Sequence, residues 1–85
     1  MNNEDIIART NAAIAEEFEL DPAIMAPSAS IRDDLGLDSL DAVDMVIVLE
    51  REFGMKIGKD PRIVQIRSLA DLHQYVIDKK NACNV

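Results

Sequence analysis

The stretch Asp38-Ser39-Leu40-Asp41-Ala42-Val43-Asp44-Met45-Val46-Ile47-Val48-Leu49-Glu50-Arg51-Glu52-Phe53-Gly54 carries the strongest periodic signal in the chain. Ala42, Met45, Val46, Leu49 and Phe53 recur at the spacing that puts side chains on one face of an α-helix. Gly54 then supplies a stop, because glycine enters the left-handed conformation of a helix end without steric cost. Gly36 permits a tight turn upstream, so the helix is expected to start at or beside Ser39. There the Ser39 hydroxyl would be exposed and close to unpaired backbone N–H groups, a favourable field for a phosphoester. On its own an Asp-Ser pair needs no more than a capping role. Asp38, Asp41, Asp44 and Glu50 form an acidic strip beside it. Val43 and Ile47, four residues apart, fall at the border between core and surface, where they either close the core edge or offer a partner a small apolar patch.

Upstream, a helix over residues 4 to 18 begins after Asn3. Glu4 and Asp5 sit in its first turn, and Ile7, Ile14 and Phe18, with Asn11 and Ala15 between them, mark one face. Asp21-Pro22 resembles a cap and first helical residue, but Pro27 and the small residues from Ala26 to Ser30 leave a loop with at most one turn of helix. Ser30 and Asp33 have capping-box spacing.

Downstream, Asp60-Pro61 repeats the cap-plus-proline device. Ile63, Val64 and Ile66 suit one or two turns of helix, with a short strand as the alternative. Ser68 and Asp71 make a further capping box. Leu69, Leu72, Tyr75 and Val76 then give an apolar face running toward Lys79-Lys80, whose charges suit a helix C-terminus. The expected fold is all-α: a small four-helix bundle with three longer helices, one short third helix and a long loop between helices one and two.

Composition narrows the function. The 85 residues fit one domain, 1–85, and 48% apolar content can build its core. A net charge of −7 opposes sequence-independent binding to nucleic acid or anionic lipid, and favours basic partners. Residues 33–50 hold six acids and no base, whereas 51–67 hold five bases and two acids, including Lys56, Lys59 and Arg62. The longest apolar run, Met45 to Leu49, is far short of the ~20 residues that span a bilayer, and the first residues lack a basic secretory start. A cytoplasmic protein without membrane insertion is expected. The single Cys83 excludes an internal disulfide, and no Cys or His cluster offers a zinc site. A calcium loop fails by register, since Gly36 at its sixth position puts Ile31 first and Ala42 twelfth. A hydrolase would need His73, the only histidine, to reach Ser39 from another helix.

The chain resembles the acyl carrier protein family. The match centres on Asp34-Leu35-Gly36-Leu37-Asp38-Ser39-Leu40-Asp41, continues through Val43, Asp44 and Leu49-Glu50-Arg51-Glu52-Phe53, and returns weakly in Ser68-Leu69-Ala70-Asp71-Leu72 and Tyr75-Val76. The resemblance implies a carrier that is not an enzyme, bearing 4′-phosphopantetheine on Ser39, transferred from coenzyme A by a separate phosphopantetheinyl transferase. Acyl groups would ride as thioesters to the enzymes of fatty acid or related lipid and polyketide biosynthesis. It also implies that Asp38, Asp41, Asp44 and Glu50 meet basic patches on acyl-transferring and chain-elongating enzymes. Leu40, Val43 and Ile47 would give short-range contact, and the carrier would act as a monomer. Val46, Leu49, Ile57 and Ile66 are the expected lining of a site for the acyl chain, or ordinary core. The basic stretch from Lys56 to Arg62 departs from many fatty acid carriers. It points either to a dedicated pathway or to simple compensation of the acidic helix. A carrier of activated amino acids, peptidyl or D-alanyl, and an unmodified acidic interaction module are the alternatives.

Overall fold

The computed structural model describes residues 2–58 and 61–83, with only the backbone of Ser39, Val64 and Cys83. Its elements are α1 (Asn3–Phe18), a 3₁₀ turn at Pro22–Ile24, α2 (Ser39–Phe53), a 3₁₀ helix at Pro61–Gln65 and α3 (Leu69–Cys83). The expected four helices are therefore three α-helices and two short 3₁₀ segments. The short third helix is the five-residue 3₁₀ element, and the strand alternative there is not realised. Asp60 and Lys59 lie outside the described residues.

Each α-helix starts with a reciprocal cap. In α1 the cap is Asn2, one residue before the expected Asn3. Its Oδ1 accepts the Asp5 N–H at 2.8 Å while the Asp5 carboxylate accepts the Asn2 N–H. At α3 Ser68 Oγ accepts the Asp71 N–H at 3.2 Å, and the Asp71 carboxylate accepts the N–H groups of Arg67 and Ser68. Those two backbone donors hold the Asp71 carboxyl below its ordinary pKa.

The buried face of α1 is Ile6, Thr10 and Ile14, so the stripe is rotated from the expected one and Ile7 is half-buried. Thr10 enters the core without an orphaned hydroxyl because its Oγ1 donates to the Ile6 carbonyl at 2.7 Å. From α2 come Met45, Val48, Leu49 and Phe53; from α3 come Leu69, Leu72, Tyr75, Val76 and Ile77. His73 is also buried, and its Nε2 donates to Asn11 Oδ1 across the α1–α3 contact at 2.7 Å. Burial pushes the His73 pKa below its ordinary value. The hydrogen bond to Asn11 holds the ring against α1.

Between α1 and α2 the long loop adds Met25, Ala29, Ile31, Leu35 and Leu37 to the core. It is tied to the start of α3 by three backbone bonds. Ile31 N–H donates to the Arg67 carbonyl, Leu69 N–H to that of Ala29, and Ala70 N–H to that of Pro27, at 2.9 to 3.0 Å. Ser30 and Ser68 form an isolated antiparallel bridge at this seam. The Ser30–Asp33 spacing makes a turn instead of a helix, with Asp34 accepting the Ser30 N–H.

Candidate functional site

Ser39 is the first residue of α2, and its side chain lies outside the described residues. The cap of that helix is Asp38. Its Oδ1 accepts the N–H groups of Leu40 and Asp41 at 2.9 and 3.1 Å, and Asp41 Oδ2 accepts the Asp38 N–H at 3.0 Å. The expectation of unpaired N–H groups beside Ser39 is thus corrected at Leu40 and Asp41. Two carboxylates already satisfy donors there, so a phosphoester on Ser39 would meet acidic neighbours as well as the helix dipole.

The acidic strip divides. Asp44 is exposed, and Asp41 is half-buried by its capping role. Glu50 departs from the strip: half-buried, its Oε2 accepts the N–H of Ile57 at 2.8 Å and that of Gly58 at 3.3 Å. The physical reason is the turn after α2. Gly54 and Gly58 both adopt left-handed φ, near +62°, and the chain doubles back over the last turn of α2, leaving loop N–H groups that need an acceptor.

The apolar stripe beside these acids lies further out than expected. Leu40 is 78% exposed, Val43 60% and Ile47 52%, at the i, i+3, i+7 spacing of one helix face. These three are large apolar side chains left in water on a helix whose opposite side is core, a pattern that marks an interaction surface.

A cleft of about 550 Å³ opens at the start of α2. Asp38, Ala42 and Met45 form one wall, the loop residues Ser30 to Asp33 with Leu37 and Arg67 another, and Ile63 and Ile66 from the 3₁₀ region a third. Asp38 directly precedes Ser39 in the chain, and Ala42 lies one turn further along α2. Of the side chains expected to line an acyl site only Ile66 does so. Leu49 and Ile57 are buried core, and Val46 packs against the core from a half-buried position. Ile31, Leu37 and Ile63 were missed because the loop gives no periodic signal and a 3₁₀ turn presents side chains irregularly, while Ala42 and Met45 read as the core face of the helix.

Arg62, from the basic stretch, is tied to α3. It pairs with Asp78 of α3 at 3.0 Å, and its guanidinium lies 5.1 Å from the centre of the Tyr75 ring. The Asp78 pKa is lowered by the Gln74 side-chain amide and by Arg62. Among the described residues, no group of His, Cys, Asp and Glu is arranged to hold a metal ion, and no helix is long and apolar enough to cross a membrane.

Comparison with known proteins identifies the family. The profile of the family described as the phosphopantetheine attachment site matches residues 11–76. Acyl carrier protein of Thermosynechococcus vestitus is 33% identical over 79 residues, covering 93% of this chain and 96% of that protein. Acyl carrier protein of Thermotoga maritima is 37% identical over 79 residues, covering 93% and 95%. That of Helicobacter pylori is 39% identical over 71 residues, covering 84% and 90%. With a family profile over most of its length and relatives at 33 to 39% identity, this helical chain belongs to the acyl carrier protein family, whose members carry 4′-phosphopantetheine and are not themselves enzymes.

Proposed function

We propose that this chain is a single-domain acyl carrier modified on Ser39, serving fatty acid synthesis or a related lipid or polyketide pathway. The observation that carries the reading is the position of Ser39, which opens α2 directly after Asp38, a residue of the cleft lining. In the attachment step the serine oxygen forms a bond to the phosphorus of the pantetheine arm of coenzyme A. The pyrophosphate bond breaks, adenosine 3′,5′-bisphosphate leaves, and the serine proton goes to a base on the transferase. The arm supplies a thiol on which acyl groups ride as thioesters.

What this chain's own residues contribute is positioning and recognition. The Asp38–Asp41 cap fixes the backbone of Ser39 without using the serine as a cap. Asp38, Asp41 and Asp44 present negative charge that steers basic enzyme surfaces toward Ser39, and the encounter weakens with salt. Leu40, Val43 and Ile47 give the short-range contact, burying apolar area only when an enzyme docks. Glu50 serves this surface through the fold, by holding the turn after α2, instead of by direct contact. Attachment of one phosphopantetheinyl group to the wild-type chain, and none to Ser39→Ala, tests the reading.

A further inference from the structure

Among the described residues, three of the five arginines make ion pairs: Arg9 with Glu52 at 3.1 Å, Arg51 with Glu17 at 3.3 Å and Arg62 with Asp78 at 3.0 Å. The two that make none, Arg32 and Arg67, both line the cleft at the start of α2. They come from distant parts of the chain and are brought together by the seam in which Ile31 N–H donates to the Arg67 carbonyl at 2.9 Å. Arg67 acts electrostatically on the Asp71 carboxylate without closing an ion pair, so two arginines beside one cleft have a consequence for what enters it.

The rest of the lining separates into kinds. Ile31, Leu37, Ala42, Met45, Ile63 and Ile66 offer an apolar path. Asp33 and Asp38 also reach the cleft, and Asp38 Oδ1 accepts the N–H groups of Leu40 and Asp41. A plain hydrocarbon chain gains from the apolar path and nothing from the arginines. An acyl chain that ends in a carboxylate uses both, since guanidinium pairs with carboxylate through two parallel N–H···O bonds.

We infer that the cleft selects acyl cargo whose far end, away from the thioester, carries a carboxylate, with Arg32 and Arg67 as the specificity-determining residues. The inference rests on the carrier reading and on the arm's attachment at Ser39. It deepens that reading by naming a cargo class.

The test compares three loaded forms of the full chain, made with a broad-specificity transferase from coenzyme A, hexanoyl-coenzyme A and adipyl-coenzyme A, each confirmed by intact mass. Melting temperature and the NMR shifts of the Arg32 and Arg67 Nε–H groups are read for each. The adipyl form is expected to melt roughly 4 to 8 °C above the hexanoyl form, to move both arginine signals, and to lose the difference in the Arg32→Gln, Arg67→Gln double variant. Equal melting and unmoved arginine signals in the hexanoyl and adipyl forms would overturn the inference while leaving the carrier reading intact. Arginine shifts already complete with the unacylated arm would also overturn it, assigning the pair to the phosphodiester. Absence of any mass gain would overturn the carrier reading and this inference with it. Should the double variant fail to fold, the wild-type arginine shifts across the three forms decide alone.

Discussion

Asp38 and Asp41 cap each other at the start of α2: Asp38 Oδ1 accepts the Asp41 N–H at 3.1 Å, and Asp41 Oδ2 accepts the Asp38 N–H at 3.0 Å. Their acidity thus has two separable consequences, helix initiation and surface charge. Asp38→Asn keeps a cap acceptor and removes the charge, whereas Asp38→Ala removes both. In urea denaturation Asp38→Ala is predicted to lose about 1 kcal/mol and Asp38→Asn a few tenths. Both should slow phosphopantetheinylation at low salt. If Asn costs as much stability as Ala, the charge at the helix dipole, and not the cap, holds the helix start.

Glu50 and Asp44 should behave as opposites although both are acids of α2. Glu50→Ala orphans the N–H groups of Ile57 and Gly58 and is predicted to cost about 1 to 3 kcal/mol. Asp44→Lys faces water and should change stability by less than ~0.5 kcal/mol. Transferase kinetics should reverse the order, with the larger low-salt loss in Asp44→Lys. A Glu50→Ala chain that is as stable as wild type would remove the structural role assigned to that carboxylate.

The outer apolar stripe predicts loss of docking without loss of fold. Val43→Ser and Ile47→Ser should leave the urea midpoint almost unchanged, while Leu49→Ala, fully buried, should cost about 2 to 5 kcal/mol. Titration of either serine variant against a partner synthase should show weaker binding whose salt dependence equals that of wild type. A changed salt slope would mean that the stripe acts through the neighbouring charges.

His73 sets a pH dependence whose sign follows from burial. Its folded pKa lies below the ordinary 6.5, so the unfolded chain binds more protons in that window. The stability His73 contributes is present above the unfolded pKa and is lost as pH falls through the folded one. Between pH 7.5 and 5 most carboxylates stay ionised. Over that range the wild type should therefore lose stability relative to His73→Gln, which keeps a donor for Asn11. Parallel urea midpoints for the two proteins would place the histidine outside the linkage.

The periodic parts of this fold were legible in the sequence, and the parts made by long-range contact were not. The helix from Ser39 to Phe53 follows from the spacing of Met45, Leu49 and Phe53 with Gly54 as its stop, and α3 follows from Ser68, Asp71 and the apolar face after them. Thr10 was missed as core because a hydroxyl reads as polar until it is seen donating to Ile6 in its own helix. Glu50 looked like surface because the donors to its carboxylate, the N–H groups of Ile57 and Gly58, come from a turn whose path no local pattern specifies. The seam between Ala29, Ile31 and the start of α3 joins residues nearly forty apart. Nothing local foretells it, and with it went the lining of the cleft and the placing of Arg32 and Arg67 along it.

The most direct test of the account is the intact mass of the purified chain before and after incubation with coenzyme A, magnesium and a broad-specificity phosphopantetheinyl transferase, alongside Ser39→Ala. Because Asp38 caps α2, the alanine variant should stay folded and serve as a clean control. A gain of one phosphopantetheinyl group in the wild type and none in Ser39→Ala is the predicted result. No gain in the folded, unmodified wild type with either this transferase or that of the native host, or an equal gain in Ser39→Ala, would contradict it.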